Sequence, residues 1–245
     1  MLPRSNTLFH FTKNLDVLKS VLLNGFWPRY CLEDIAWQTL DKEFVSYPMV
    51  CFCDIPMSRI TEHVKFYGSF GLGLTKEWGI KNNLNPVIYF SGSNPLRQSI
   101  RHLTNLASSI EDEKKKKAGL KEIRNILAYS KPVAGRMMLR GDHVNKDFYQ
   151  ESEWRFVPQH KNISDFLHES THNNETRLAE ANKKTKENCM LKFSPNDVRY
   201  IFVPTDADIP GVMNFLQAEL VDVPNAQLKV LMSRVTSLES VTLDV

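Results

Sequence analysis

Short apolar runs, most of them broken by one or two polar residues, alternate along this chain with stretches of helical spacing. Leu8-Phe9-His10-Phe11-Thr12 reads as a strand interrupted by one histidine. Leu15, Leu18, Val21 and Leu22 then fall one helical turn apart, which predicts a helix over 15–23 with Asn14 or Asp16 as cap and Gly25 as stop. Phe26-Trp27-Pro28 opens an aromatic-rich connection that runs to about residue 47. Met49–Cys53 reads as a buried strand ending at Asp54-Ile55-Pro56, and Ser58 caps a short helix through Phe66. The glycines of Tyr67-Gly68-Ser69-Phe70-Gly71-Leu72-Gly73-Leu74 predict a turn where backbone approaches a ligand closely. Thr75 caps a turn through Trp78, and Pro86–Phe90 is a further strand.

The second half follows the same scheme. Residues 95–130 read as helical, with Ile100, Leu103, Leu106, Ile110, Leu120, Ile123 and Leu127 as the apolar face. The charged run Glu111–Lys117 breaks that face as a solvated helix–helix turn. Residues 132–147 form a mixed connection, and the polar stretch 160–188 reads as an exposed helix or a mobile excursion. Met190–Phe193 and Val198–Val203 read as strands, Ile209–Leu220 as a helix with Pro210 in its first turn, and Leu228–Met232 as a closing strand. Short strands far apart in sequence, with helices inserted between them, predict an α+β fold with a largely antiparallel sheet. With no internal repeat and no clear linker, 1–245 reads as a single domain.

One stretch does not fit a purely structural pattern. In Tyr149-Gln150-Glu151-Ser152-Glu153-Trp154-Arg155-Phe156 a strand places Glu151, Glu153 and Arg155 on one face and the two aromatics on the other. Paired carboxylates repel, so the pattern has two readings. One is a solvated edge strand with an aromatic inner face. The other is a site that holds a sugar hydroxyl and stabilises positive charge. His10 and Tyr67 have similar alternatives: a satisfied core histidine and a packing aromatic, or functional groups.

Composition narrows the classes. Hydrophobic residues make up 42% and charged residues 24%, enough for an ordinary core. No apolar run approaches the roughly 20 residues that span a bilayer, and the first residues carry no apolar signal region, so a cytoplasmic protein without membrane contact is expected. Cys31, Cys51, Cys53 and Cys189 suggest neither a disulfide framework nor zinc ligation. There is no Gly-Lys-Ser/Thr ending and no dinucleotide fingerprint, which excludes a P-loop and a Rossmann domain. A net charge of +3 leaves only local basic clusters to meet a polyanion.

In their order, His10, Tyr67 and Glu153 resemble the His-Tyr-Glu arrangement of the ADP-ribosyltransferase superfamily, and Glu151 with Glu153 resembles its Glu-x-Glu form. Phe9-His10-Phe11-Thr12, Pro48–Pro56 through Ser58-Arg59-Ile60 and His63, Tyr67–Gly71, Lys76-Glu77-Trp78-Gly79 and Glu151-x-Glu153-Trp154-Arg155 together look like the bacterial abortive-infection family AbiGi, whose members carry an antitoxin label. The superfamily resemblance implies a split antiparallel sheet with NAD as co-substrate and no metal. It implies Glu153 at the ribose, where a carboxylate favours oxocarbenium character, and Glu151 at the acceptor. His10 with Thr12 would hold a ribose hydroxyl, while Tyr67 and Phe70 would face nicotinamide. Phe11 stands where many members have glycine. The strands 8–12, 49–53 and 153–157 would then converge on one cleft.

Two function classes follow. The first is a phage-defence toxin that transfers ADP-ribose to a macromolecule and needs a cognate antitoxin. The second is a catalytically silent antitoxin on the same fold. For the toxin, an RNA acceptor is expected ahead of protein. The basic residues Arg136, Arg140 and Lys146 precede Phe148 and Tyr149, a combination suited to phosphate and base contacts.

Overall fold

The computed structural model describes residues 5–38, 43–139 and 142–243. It is a mixed α/β structure, as the α+β reading expects. The first part runs β1 (Thr7–Thr12), α1 (Leu15–Asn24), β2 (Arg29–Asp34), β3 (Phe44–Cys53), α2 (Ile60–Tyr67), β4 (Phe70–Thr75) and α3 (Lys76–Lys81). Then follow β5 (Asn85–Pro86), β6 (Ile88–Phe90), α4 (Pro95–Ser108), α5 (Glu113–Ala128), β7 (Ser130–Pro132), β8 (Ala134–Leu139), β9 (Asp142–Asp147) and β10 (Glu153–Phe156). The chain continues with β11 (Leu167–His168), α6 (Glu169–His172), α7 (Glu175–Asn188), β12 (Val198–Val203), α8 (Ile209–Glu219), α9 (Asn225–Met232), β13 (Val235–Ser237) and α10 (Leu238–Leu243). Packing divides it into two compact units: the described parts of Met1–Trp27, Cys51–Leu84 and Met190–Val245, and those of Pro28–Val50 and Asn85–Cys189.

The first unit is a sheet in the order β13-β12-β4-β1, with the end of β3 beside β1 through Phe9 opposite Cys53. Only β12 and β13 run parallel; the other pairs are antiparallel. Local signals work as expected at α1. The Asn14 side chain accepts a hydrogen bond from the Val17 amide, and Gly25 closes the helix at φ 79°, where a β-carbon would come within 2.5 Å of the Leu191 carbonyl oxygen. Thr75 caps α3 by accepting from the Trp78 amide, and the Trp78 indole donates to the Lys192 carbonyl. Alternation along β1 sends Phe9 and Phe11 into a core with Ile55, Ile60, Phe202 and Leu238.

The glycine-rich stretch is not a ligand turn. Residues 70–75 form the central strand β4, and Gly71 and Gly73 sit opposite Phe11 and Phe9. The two phenyl rings lie over the glycines, so the missing side chains are spaces that cross-strand aromatics fill. Only Gly68, at φ 111°, makes a turn of the expected kind, and it closes against the backbone of Thr12.

In the second unit β2 and β11 flank the Phe44–Val50 part of β3, both antiparallel to it. The expected connection over 26–47 therefore contains a strand. β5 pairs with β10, β6 runs parallel to β7, and β8 and β9 make a hairpin within the expected mixed connection. Residues 95–128 form two helices with a break at 109–112; the charged run expected as the turn lies mostly inside α5, from Glu113 to Lys117, with Asp112 as its cap. The polar stretch 175–188 is an ordered helix. It buries Asn182 and Thr185, whose side chains accept from the Tyr30 amide and donate to the Pro28 carbonyl. Back in the first unit, Leu228–Met232 lies in helix α9 and not in a strand. Met190–Phe193 makes only an isolated bridge, Phe26 with Leu191.

The ring-over-glycine packing is testable. A β-carbon on Gly71 would lie 2.6 Å from Phe11 Cδ1. Gly71→Ala should lower the unfolding free energy by about 1–3 kcal/mol through overpacking, read as a shift of the urea midpoint. An unchanged midpoint would mean that the Phe11 ring swings aside freely.

Candidate functional site

The densest chemistry lies in the second unit. β10 begins at Glu153, and strand periodicity puts Glu153 and Arg155 on one face. That face is the inner one: Arg155 has 0% exposure and Glu153 5%, while Trp154 and Phe156 are half-buried. The expectation of a solvated charged face with an aromatic inner face is therefore inverted. Such an inversion requires compensation, because an isolated buried charge is very costly.

Compensation comes from six side chains. The Arg155 guanidinium donates through Nε to Glu153 Oε1 at 2.7 Å, through one terminal nitrogen to the Ala128 carbonyl at 2.7 Å, and through the other to Glu33 Oε2 at 2.9 Å. Lys131 Nζ sits 2.8 Å from Glu153 Oε2 and 3.5 Å from Glu151 Oε2. Lys146 pairs with the other oxygen of Glu151. Three carboxylates thus face three cations, and the cluster is neutral. The β10 backbone is held as well: the Glu153 amide donates to the Tyr89 hydroxyl, and the Glu153 carbonyl accepts from the Val87 amide.

Glu151 is not in the strand. It ends a single tight turn over Tyr149–Glu151, and Ser152 then adopts φ 45° and ψ 52° before β10 begins. A non-glycine residue in the left-handed region is strained. Its consequence here is that both carboxylates, though not at consecutive strand positions, reach the same lysine. Burial alone would push the Glu153 carboxyl up; the charges of Arg155 and Lys131 outweigh it and hold the group well below the usual carboxylate range. Burial likewise opposes charging of Lys131, and Glu153, Glu33 and Glu151 reverse this so that its ammonium is retained beyond the usual lysine range.

The acceptor-side residues have structural partners too. Arg136 donates to Asp34 at 3.0 Å and approaches Glu43 at 3.8 Å. Arg140 lies outside the described residues. Phe148 is buried with the Lys131 ammonium 4.2 Å from its ring centre, while Tyr149 is exposed and meets Tyr89 edge-on. Lys131 and Glu33 were not candidates from sequence. A lone lysine in Leu127-Ala128-Tyr129-Ser130-Lys131-Pro132-Val133-Ala134 was the available signal for the first. Nothing local marked Glu33 as the partner of a residue 122 positions away.

The remaining candidates lie in the first unit. His10 is wedged between Phe26 and Phe52, with ring centres 5.0 and 5.5 Å away. Its Nδ1 bonds to the Cys51 carbonyl at 2.8 Å, and a carbonyl only accepts, so Nδ1 carries the proton. Burial lowers the His10 pKa and favours the neutral ring. Phe11, by contrast, faces the opposite side of β1, toward Phe202 and His63. Tyr67 stacks on His63 at 4.4 Å and packs on that same Phe11 core. Thr12 pairs with Phe70 across β1 and β4. The structure thus packs Tyr67 with Phe11 on one face of β1 and sends the His10 ring to the other, while Thr12 pairs with Phe70 at the strand end.

Comparison with known proteins adds context. Residues 24–204 match the family model described as "Putative abortive phage resistance protein AbiGi, antitoxin". That span contains all six residues of the charge cluster and begins after His10. The chain is also similar to an abortive phage resistance protein AbiGi of Lactococcus lactis subsp. cremoris, 28% identical over 240 residues that cover 86% of this chain and 96% of that protein. No solved structure matches the chain. Among the described residues no helix is long and apolar enough to cross a membrane.

Two predictions follow from the cluster. Glu153→Gln leaves Arg155 and Lys131 buried without their shared counter-charge and should cost about 3–5 kcal/mol of stability. Adding Lys131→Met should cost less than the sum of the two single changes, because the pair is coupled. A Glu153→Gln protein with an unaltered urea midpoint would show that the cluster does not hold the fold. The second concerns pH. A carboxyl held low contributes stability above the ordinary carboxylate pKa of about 4.3 and loses it as pH falls further; a raised lysine contributes below about 10.4 and loses it as pH rises further. Stability should therefore plateau between about pH 5 and about pH 10, with the acid limb shallower in Glu153→Gln.

Proposed function

This chain belongs to the AbiGi family of abortive phage resistance proteins, and on that premise we propose that it is the antitoxin of an abortive-infection pair: a protein-binding component that restrains a toxin partner and performs no turnover of its own. The observation that carries this reading is the state of Glu153. Both its oxygens accept from Arg155 and Lys131, and its side chain is only 6% exposed. A carboxylate so engaged has little field left for a developing sugar cation. Its negative charge is spent on the guanidinium and the ammonium beside it. The placement of His10 and Tyr67 against opposite faces of β1 supports the same reading, since a nicotinamide site would draw on both together. The antitoxin label of the matching family agrees with it.

A second reading keeps the transferase, with NAD as co-substrate and RNA ahead of protein as acceptor. Its specific support is Ser152. A strained backbone residue between two carboxylates that converge on one lysine is the kind of outlier that clusters at active sites. On this reading Lys131 must leave Glu153 before Glu153 contacts ribose, and Glu151 serves the acceptor. His10, Phe11, Thr12, Tyr67 and Phe70 would contact NAD, and Arg136 with Arg140 would contact acceptor phosphates.

One pair of assays separates the two. The purified protein, incubated with labelled NAD and separate RNA, DNA and protein pools, should transfer no label and consume no NAD. The polypeptide encoded beside it should be toxic when expressed alone, harmless when co-expressed, and bound by this chain in pull-down and calorimetry. Label entering any macromolecule, abolished by Glu153→Gln in a folded variant, would establish the transferase instead.

A further inference from the structure

Among the described residues, the buried side-chain polar atoms without a hydrogen-bond partner are Gln38 Oε1 and Arg97 Nε. Both lie in the second unit, at the start of α4. Gln38 is 2% exposed, and its Nε2 reaches the Arg97 carbonyl at 3.4 Å. Arg101, one helical turn beyond Arg97, donates through Nε to the Gln38 carbonyl at 2.7 Å. Gln38 is thereby tied to α4 by its backbone and its side chain, while its amide oxygen and the Arg97 Nε hydrogen stay unused.

Charge at this place is one-sided. Arg124 and Arg136 pair with Asp165 and Asp34, and Arg155 pairs with Glu33 and Glu153. Arg97 and Arg101, both half-buried, have no such carboxylate among the described residues. The first turn of α4 carries no acidic residue, although the helix dipole already adds positive potential there. Burial and the Arg101 charge both lower the Arg97 pKa, so the two guanidiniums oppose each other. Arginine does not relieve this by losing its proton. The loop Ser91-Gly92-Ser93-Asn94 leads from β6 into α4, and a β-carbon on Gly92 would meet nothing within 4 Å. The start of the helix is thus open on that side.

Two unmet groups of opposite sense select the ligand. The guanidiniums require an anion, and Gln38 Oε1 requires a donor. Inorganic phosphate answers the first. A phosphate with a hydroxyl on the neighbouring carbon answers both, and a ribonucleotide carries that pair as its 3′-phosphate and 2′-hydroxyl. A hydroxy acid offers the same pair with a single negative charge, whereas two guanidiniums at a helix start match a phosphate.

We propose that Arg97, Arg101 and Gln38 form a ribonucleotide site, with the phosphate on the two guanidiniums and the neighbouring hydroxyl donating to Gln38 Oε1. None of the three belongs to the charge cluster around Glu153, so the site does not depend on the antitoxin reading. The test is calorimetry on the full chain with uridine 3′-monophosphate, its 2′-deoxy counterpart and inorganic phosphate. The ribonucleotide should bind about three- to tenfold more tightly than the deoxy compound, and both more weakly as salt rises. Arg97→Gln should weaken both by about tenfold or more. Because that change removes an unpaired charge from the first turn, the variant should melt no lower than the wild type. Gln38→Met should abolish the preference for the ribonucleotide and leave the deoxy compound within about twofold. If the Met variant does not fold, the two ligands on the wild type still test the hydroxyl contact. No binding of the ribonucleotide, equal affinity for the ribo and deoxy compounds, or binding unaltered in Arg97→Gln overturns the proposal. A labelled oligouridylate identifies the source of the ligand: tighter binding than the mononucleotide, lost in Arg97→Gln, supports the site with an RNA strand as occupant, and equal binding supports it with a free nucleotide.

Discussion

Arg155 has no exposed surface, and a guanidinium does not shed its charge to relieve burial. Its surroundings must therefore supply acceptors. They do so from three separate places: Glu153 two residues before it, the Ala128 carbonyl at the end of α5, and Glu33 on β2. Glu153, once buried beside Arg155, has a second oxygen to satisfy, and Lys131 meets it. Lys131 reaches Glu151, and Glu151 reaches Lys146. Each charge makes the next one necessary. The outcome ties β2, α5, β7, β9, the tight turn and β10 of the second unit to one neutral cluster. Desolvation of its charges offsets much of the attraction within such a cluster.

The first unit is organised by shape where the second is organised by charge. Its central strand β4 alternates glycine with leucine, and the neighbouring strand places Phe9 and Phe11 over the two glycines. Phe9, Phe11, Tyr200 and Phe202 then form a continuous set of ring contacts, with centres 5.5 to 6.3 Å apart. His10 belongs to a different aromatic group on the opposite face, with Phe26, Phe52 and Trp78. A neutral histidine with one nitrogen bonded to a backbone carbonyl is a comfortable resident of such a group.

These two arrangements bear on function in the same direction. The residues that most resemble a transferase centre are the ones most fully occupied by structural partners. Glu153, Glu151 and His10 each meet partners within their own unit.

The sequence by itself determined the elements whose signals are local. Asn14 and Gly25 bound α1 as read, Thr75 caps α3, and Pro210 stands in the first turn of α8. Each signal acts within about four residues, over distances that a linear reading resolves. The motif order also sufficed to identify the family. Tertiary structure alone decided the rest. Period-two alternation grouped Glu153 with Arg155 but did not say which face of β10 points inward; partners 22 and 122 residues away made the charged face the buried one. Gly71 and Gly73 read as a turn because their compensation, two phenyl rings, lies on another strand. Leu228, Val230 and Met232 alternate like a strand, while Leu228, Leu231 and Met232 repeat like a helix. Burial of Leu231 at 2% exposure accompanies the helical outcome. In each case the missing information is which distant surface meets the segment, and that is fixed only when the whole unit closes around it.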